Sequence, residues 1–368
     1  MSEQEAFADA ERPYLVAFQH VPYVGPVALA RLRETFGSAE AAWTADGRYL
    51  RAAVHERAAA SLESTRRSLD VNTICSGLER DGISVVTIDD AAYPRLLREI
   101  HQPPPVLFVR GTLVEDDAMA VAIVGTRQIT PYGRTVTEAI ASGLAQAGVT
   151  VVSGMAKGVD GVAHQAALDA GGRTIAVLGS GLRQIYPAEH RRLAERIAEL
   201  GAVISDYPPD TKPDARNFPA RNRIISGLSC GVVVTEAPEK SGALITVDFA
   251  ADQGRDVCAV PGPVGASKSA GCNQLIRNGA FLVRSARDVL DDLGIGRTPE
   301  QLAVQQALPL GESERLLLGV MSGEPRHIDD LRELANLPTT EVSSVLMLLE
   351  LQGLVTNAGA QHYVRSGR

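Results

Sequence analysis

Short apolar, β-branched runs recur through the middle of the chain, at Val121–Val124, Val149–Val152, Thr174–Leu178, Ala202–Ile204, Gly231–Thr235 and Val257–Val260. The segments between them have helical spacing. Val136, Ile140, Leu144 and Ala147 share one face of a predicted helix over Tyr132–Ala147. Leu193, Ile197 and Leu200 do the same over Pro187–Leu200, with Pro187 in the first turn. Six strands separated by helices predict a parallel sheet covered on both faces, because parallel strands need crossover connections. Runs at Ile83–Ile88 and Val106–Val109 predict further strands ahead of the repeat.

The flanks have other patterns. Val21–Leu32, followed by Phe36-Gly37, reads as a helix-hairpin-helix, in which a glycine turn aims backbone amides at a DNA phosphate. Pro26 stands at the usual second glycine and removes an N–H, so a small packing domain is the alternative. Arg297–Gly311 lacks a period and holds Pro299 and Pro309, as a linker does. From Ser313 the order is helix, His327–Leu334, Thr339–Leu351, then short runs at Gly353–Thr356 and His362–Val364, which predicts a winged helix. Pro338–Glu350 contains no Lys or Arg, which suits protein contact or packing better than reading a DNA groove. The expected division is a helical domain over residues 1–75 (SAM- or helix-hairpin-helix-like), an extended Rossmann-like α/β core over 76–296, a linker over 297–312 and a winged-helix-like domain over 313–368.

Each central strand ends in small or polar residues: Gly125-Thr126-Arg127, Ser153-Gly-Met-Ala-Lys157-Gly158, Gly179-Ser-Gly181, Ser205-Asp206, Glu236 and Pro261-Gly262. Small residues admit a ligand to the backbone, and helix N-termini present free N–H groups to anions. Open α/β sheets bind ligands along this carboxyl edge, near the switch in strand order. A phosphate-binding edge is therefore expected. Phe218-Pro-Ala-Arg-Asn-Arg223 adds a ring that can stack on a base and two guanidinium forks suited to phosphate.

Composition alters this picture in one respect. The 368-residue chain is 45% apolar and carries a net charge of −8, which argues against bulk basic coating. Between Val121 and Leu290, however, 18 Lys and Arg face 15 Asp and Glu, so this slice is +3 and the remainder −11. A localised anion site fits that distribution. The four cysteines form no CxxC pair and lack a histidine at zinc spacing, so reduced thiols and no metal are expected. Met1–Pro13 is acidic and polar, unlike a signal peptide, and no apolar run reaches the ~18 residues of a membrane span. A cytoplasmic, soluble protein with no membrane association is expected.

Catalytic motifs are incomplete. Gly179-Ser-Gly181 has Gln184 at the third glycine of a dinucleotide fingerprint. Gly262–Ser269 nearly spells a phosphate-binding loop, but Ser267 precedes Lys268 and Pro263 removes an N–H. Asp160 and His164, one turn apart, suggest capping and packing ahead of a general base or metal site. Binding candidates remain. Arg127 and Lys157 can reach a phosphate at the sheet edge. Arg221 and Arg223, two residues apart on a helix, cannot both face one ligand, so one is expected to bind phosphate while the other pairs with Asp206 or another carboxylate. Phe218 either stacks on a base or closes the core. Ser241 is an N-cap or phosphate donor ahead of the helix through Thr246.

The chain closely resembles the DNA-processing protein A (DprA/Smf) family. The resemblance runs from Tyr93-Pro94 through Ala280, on Ile123–Arg127, Tyr132-Gly133, Ser153–Asp160 with His164, Tyr186-Pro187, Phe218–Ser229, Ser241–Thr246, Pro261-Gly262 and Gly271–Ala280. It implies a Rossmann-type core that binds single-stranded DNA without cleaving it, protects incoming strands during natural transformation and loads RecA, with no cofactor. Carried over as DNA contacts are Gly125, Thr126 and Arg127; Ser153, Gly154 and Lys157; Phe218, Arg221, Asn222 and Arg223; and Ser241 and Thr246. A homodimer through the core near Leu275, Ile276 and Phe281 is also implied. The competing expectation is a nucleotide or phosphoribosyl hydrolase on a related core, whose P-G-G-x-G-T-x-x-E signature is absent from Glu236–Thr246.

Overall fold

The computed structural model describes residues 3–296, 311–321, 325–351, 355–359 and 361–365. They divide into two units, Met1–Ile295 and Gly296–Arg368. The expected linker lies almost entirely outside the described residues.

The first unit opens with helices α1 (Glu3–Gln19), α2 (Pro26–Phe36), α3 (Ala39–Thr44), α4 (Gly47–Ala53), α5 (Glu56–Ser68) and α6 (Val71–Arg80). Pro26 takes the first turn of α2, where its missing N–H costs nothing, and Gly37 closes that helix at φ 85°. There follow β1 (Ser84–Thr87), α7 (Arg95–Arg98), β2 (Val106–Gly111), β3 (Ala120–Val124), α8 (Pro131–Gln146), β4 (Thr150–Ser153), α9 (Val159–Asp169), β5 (Thr174–Val177), α10 (Arg191–Leu200) and β6 (Ala202–Ser205). The unit continues with α11 (Asn217–Gly227), β7 (Gly231–Val234), α12 (Leu244–Asp252), β8 (Asp256–Ala259), α13 (Ala270–Arg277), β9 (Phe281–Leu282) and α14 (Ala286–Asp292).

The nine strands form one sheet in the order β1-β2-β6-β5-β4-β3-β7-β8-β9. From β6 to β9 all neighbours are parallel, whereas β1–β2 and β2–β6 are antiparallel. Side-chain alternation assigns the two faces. Ala120, Ala122 and Val124 pack with Ile224, Ile225 and Val247 from α11 and α12. Val121 and Ile123 pack with Ile140, Leu144, Val159 and Ala163 from α8 and α9. A third cluster joins Val106 and Phe108 of β2 to Leu15, Phe18 and Leu32 of the N-terminal helices, so those helices share a core with the antiparallel end of the sheet.

The chain runs outward from β3 through β4 and β5 to β6, then returns to place β7 on the other side of β3. The switch in strand order therefore lies between β3 and β7. One predicted boundary is corrected: α10 begins at Arg191, after a 3₁₀ turn over Ala188–His190, and Pro187 stands outside it with extended ψ 151°.

In the second unit a helix over Glu312–Val320, β10 (Arg326–His327), helices over Ile328–Ala335 and Thr339–Leu351, then β11 (Val355–Gly359) and β12 (His362–Arg365) surround Leu317, Leu331, Val342, Leu346 and Leu349. Its sheet order is β10-β12-β11, the wing of a winged helix.

Candidate nucleic-acid interface

A cleft of about 500 Å³ opens at the switch point, between the loop after β3, the start of α11 and the loop before α12. Gly125, Thr126 and Arg127 form one wall. Thr126 is buried, its N–H donates to the Glu236 carbonyl at 2.7 Å, and its Oγ1 accepts from Gln128 N at 3.1 Å. This turn projects Arg127 outward, with its Cζ 5.6 Å from the Phe218 ring centroid. Phe218 sits in the first turn of α11, half-buried, and Tyr186 lies 5.5 Å away with its ring tilted by 43°. A Cβ on Gly179 would come within 2.8 Å of Phe218 Cδ1, so only glycine lets the ring settle there.

Arg221 and Gly154, both expected as contacts, are buried in the floor instead of lying on a surface. Arg221 is 4% exposed; its Nη1 donates to the Gly154 carbonyl at 2.8 Å, and its charge faces Asp160. Burial pulls its pKa down to about 10, so it remains cationic at neutral pH. The same burial pushes the Asp160 carboxyl up, opposed by the Arg221 charge and by the Ala156 N–H, which Asp160 accepts at 3.2 Å. Asp160 thus ties down the β4 loop ahead of α9 and does not cap the helix end. Gly154 leaves room for this pair: a Cβ there would stand 2.6 Å from Arg221 Nη2 and 2.7 Å from Asp160 Oδ2. Gly158, at φ 80°, lets the same loop lie against the Thr126 carbonyl.

Arg223 points away from Arg221 and pairs with Asp206 at 2.8 Å, as the two-residue spacing requires. With Arg221 held by Gly154 and Asp160, both guanidinium groups have protein partners. Ser153 is fully buried and donates to the Ile123 carbonyl at 2.6 Å, so its hydroxyl is withdrawn from the cleft. Asn222 donates to the Gly242 carbonyl at 3.3 Å, joining α11 to the opposite wall. Ser241 is no N-cap: α12 starts at Leu244, and Ser241 Oγ accepts from Ala243 N at 3.3 Å within the preceding turn. Thr246 lines the cleft but is 1% exposed. Lys157 is more than half exposed and pairs with Glu189 at 2.6 Å.

Sequence reasoning did not count Lys240 among the contacts, although it directly precedes Ser241 on the cleft wall. Among the described residues neither Arg127 nor Lys240 has a carboxylate partner. Glu236, at the end of β7, is buried and accepts from Thr130 N at 2.8 Å and Thr130 Oγ1 at 2.6 Å, so its charge is held at the N-terminus of α8. His164 is buried between α9 and β5 with Nδ1 2.7 Å from Thr174 Oγ1. That hydroxyl donates to the Val151 carbonyl, so it accepts the Nδ1 proton. His164 is a packed residue remote from solvent.

The sheet, the cleft at its switch point and the separate winged-helix unit define a Rossmann-like α/β protein with two unpaired cations, Arg127 and Lys240, lining a cleft at its sheet edge. The chain belongs to the DNA recombination-mediator protein A (DprA/Smf) family, whose model matches residues 84–294; a DprA winged helix domain model matches residues 301–360. It is 36% identical to Protein Smf of Synechocystis over 97% of this chain and 100% of that protein. It is 38% identical to Protein Smf of Escherichia coli over 89% and 90% of the two. The crystal structure of DNA processing protein A from Streptococcus pneumoniae aligns with a TM-score of 0.65 at 34% identity, covering 79% of this chain and 98% of that one. DNA processing protein A of Helicobacter pylori, described for its single-stranded DNA binding mode, aligns with a TM-score of 0.52 at 30% identity over 57% of this chain and 95% of its own.

Proposed function

We propose that this protein binds single-stranded DNA in the switch-point cleft without chemical conversion of the strand. The observation that carries the reading is the pairing of exposed Arg127 with Phe218 at the mouth of a cleft whose opposite wall holds Lys240. A guanidinium and an ammonium take backbone phosphates, and ring faces accept unstacked bases of any identity. A duplex keeps its bases stacked and hidden from such rings. The relative from Helicobacter pylori, named for single-stranded DNA binding, supports the same reading. The hydrolase reading needs a free carboxylate at the sheet edge, and Glu236 is engaged with Thr130.

Anisotropy of labelled oligothymidine and of a duplex of equal length, titrated over a salt series, tests the proposal. Single strands are expected to bind more tightly, and incubation with nucleoside monophosphates is expected to release no base. Equal affinity for duplex, or base release, overturns it.

Strand protection and RecA loading in natural transformation extend this reading. They require the coated strand to pass to the recombinase, which is tested by following RecA filament growth on strands precoated with the protein. A homodimer is proposed along the β9 edge, where Phe281 and Leu282 are 40% and 47% exposed beside Leu275 and Ile276. Phe281→Glu is expected to halve the mass measured by light scattering.

A further inference from the structure

A smaller concavity of about 110 Å³ lies on the far side of the Arg127–Phe218 ridge from the main cleft. It is walled by Tyr186, Pro187, Phe218, Gly154 and Lys157. Phe218 and Arg127 line both hollows, so they form a partition and not the end of a site. Tyr186 brings a ring that is 45% exposed, in a turn where Pro187 is buried beneath it. Lys157 stands at the same rim with its ammonium on exposed Glu189, a surface pair that a phosphate can displace at little cost.

We propose that this hollow is a second nucleobase subsite. Tyr186 stacks one base of a single strand whose neighbouring base lies in the main cleft, and the phosphate that connects them crosses the ridge beside Arg127, with Lys157 near the flanking phosphate. The inference rests on the single-strand reading above and deepens it. Two aromatic rings, Phe218 on the ridge and Tyr186 beyond it, with Arg127 and Lys157 beside them match the alternation of base and phosphate along one strand. A mononucleotide would fill only one side.

The test is affinity of the full chain for labelled oligothymidine with Tyr186→Ala, Tyr186→Phe, Phe218→Ala and the Tyr186→Ala/Phe218→Ala double variant. Tyr186→Ala is expected to weaken binding about 5- to 100-fold, the range of one lost stacking contact, while Tyr186→Phe binds as the parent does. Stacking releases no counterions, so Tyr186→Ala leaves the slope of log affinity against log salt unchanged. Lys157→Ala lowers that slope by about 0.7. A residue that only props Phe218 would show no further loss in the double variant, whereas a separate subsite gives added losses. Loss in Phe218→Ala and Arg127→Ala with none in Tyr186→Ala, or no added loss in the double variant, overturns the second subsite alone. Unchanged affinity in all of them overturns the single-strand reading itself.

Discussion

Arg127 and Arg221 bring the same guanidinium to one cleft and serve it differently, because one is exposed and the other lies under the floor. Arg127→Ala is expected to weaken oligothymidine binding about tenfold or more and to lower the salt slope by about 0.7, with thermal stability unchanged. Arg221→Met leaves Asp160 buried without its cation, which costs about 3–5 kcal/mol, read in denaturant unfolding. Gly154→Ala drives a methyl into the same pair and is expected to lower stability before it lowers affinity. The residue types of the site were legible in the sequence, since Arg, Phe and glycine after strands announce phosphate and base chemistry. Exposure was not. Whether a guanidinium in Phe218–Arg223 meets solvent depends on Gly154 and Asp160, far away along the chain.

At the scale of elements, α11 divides its first turns between the cleft, the β4 loop and Asp206. Helical spacing foretold that its two arginines would separate, and they do. The strands were legible because runs of Val, Ile and Ala survive only where both faces are covered. The start of α10 was not, because proline suits a first helical turn and an extended approach equally well, and packing chose the latter. The α9–β5 contact has a pH consequence. Burial pulls the His164 pKa from 6.5 down to about 3. Below pH 6.5 the unfolded chain therefore binds a proton that the folded chain refuses, and stability falls as pH drops towards 3. The slope is about 1.4 kcal/mol per pH unit for this one group. Asp160, raised by burial, contributes in the opposite sense. Comparison with His164→Asn, whose amide replaces Nδ1, isolates the histidine: the variant is expected to show a shallower acid limb in unfolding followed by circular dichroism.

Across the whole molecule, the +3 slice coincides with the part of the sheet that carries the cleft, and the acidic excess is split between residues 1–120, at −6, and residues 291–368, at −5. The exposed face of the helix over Thr339–Leu351 presents Thr340, Ser343, Ser344 and Met347 with no cation, so it offers nothing to a phosphate. A chain ending at Ile295 is expected to keep its oligothymidine affinity within about threefold, measured by the same anisotropy titration. No helix among the described residues is long and apolar enough to cross a membrane. The sequence by itself determined the parallel sheet, the winged helix and the family, because hydrophobic period and local turn chemistry act over a few residues. Tertiary structure alone decided where along the carboxyl edge the cleft opens and which cations stayed free in it. Those outcomes depend on the return of β7 beside β3 and on carboxylates drawn from distant segments.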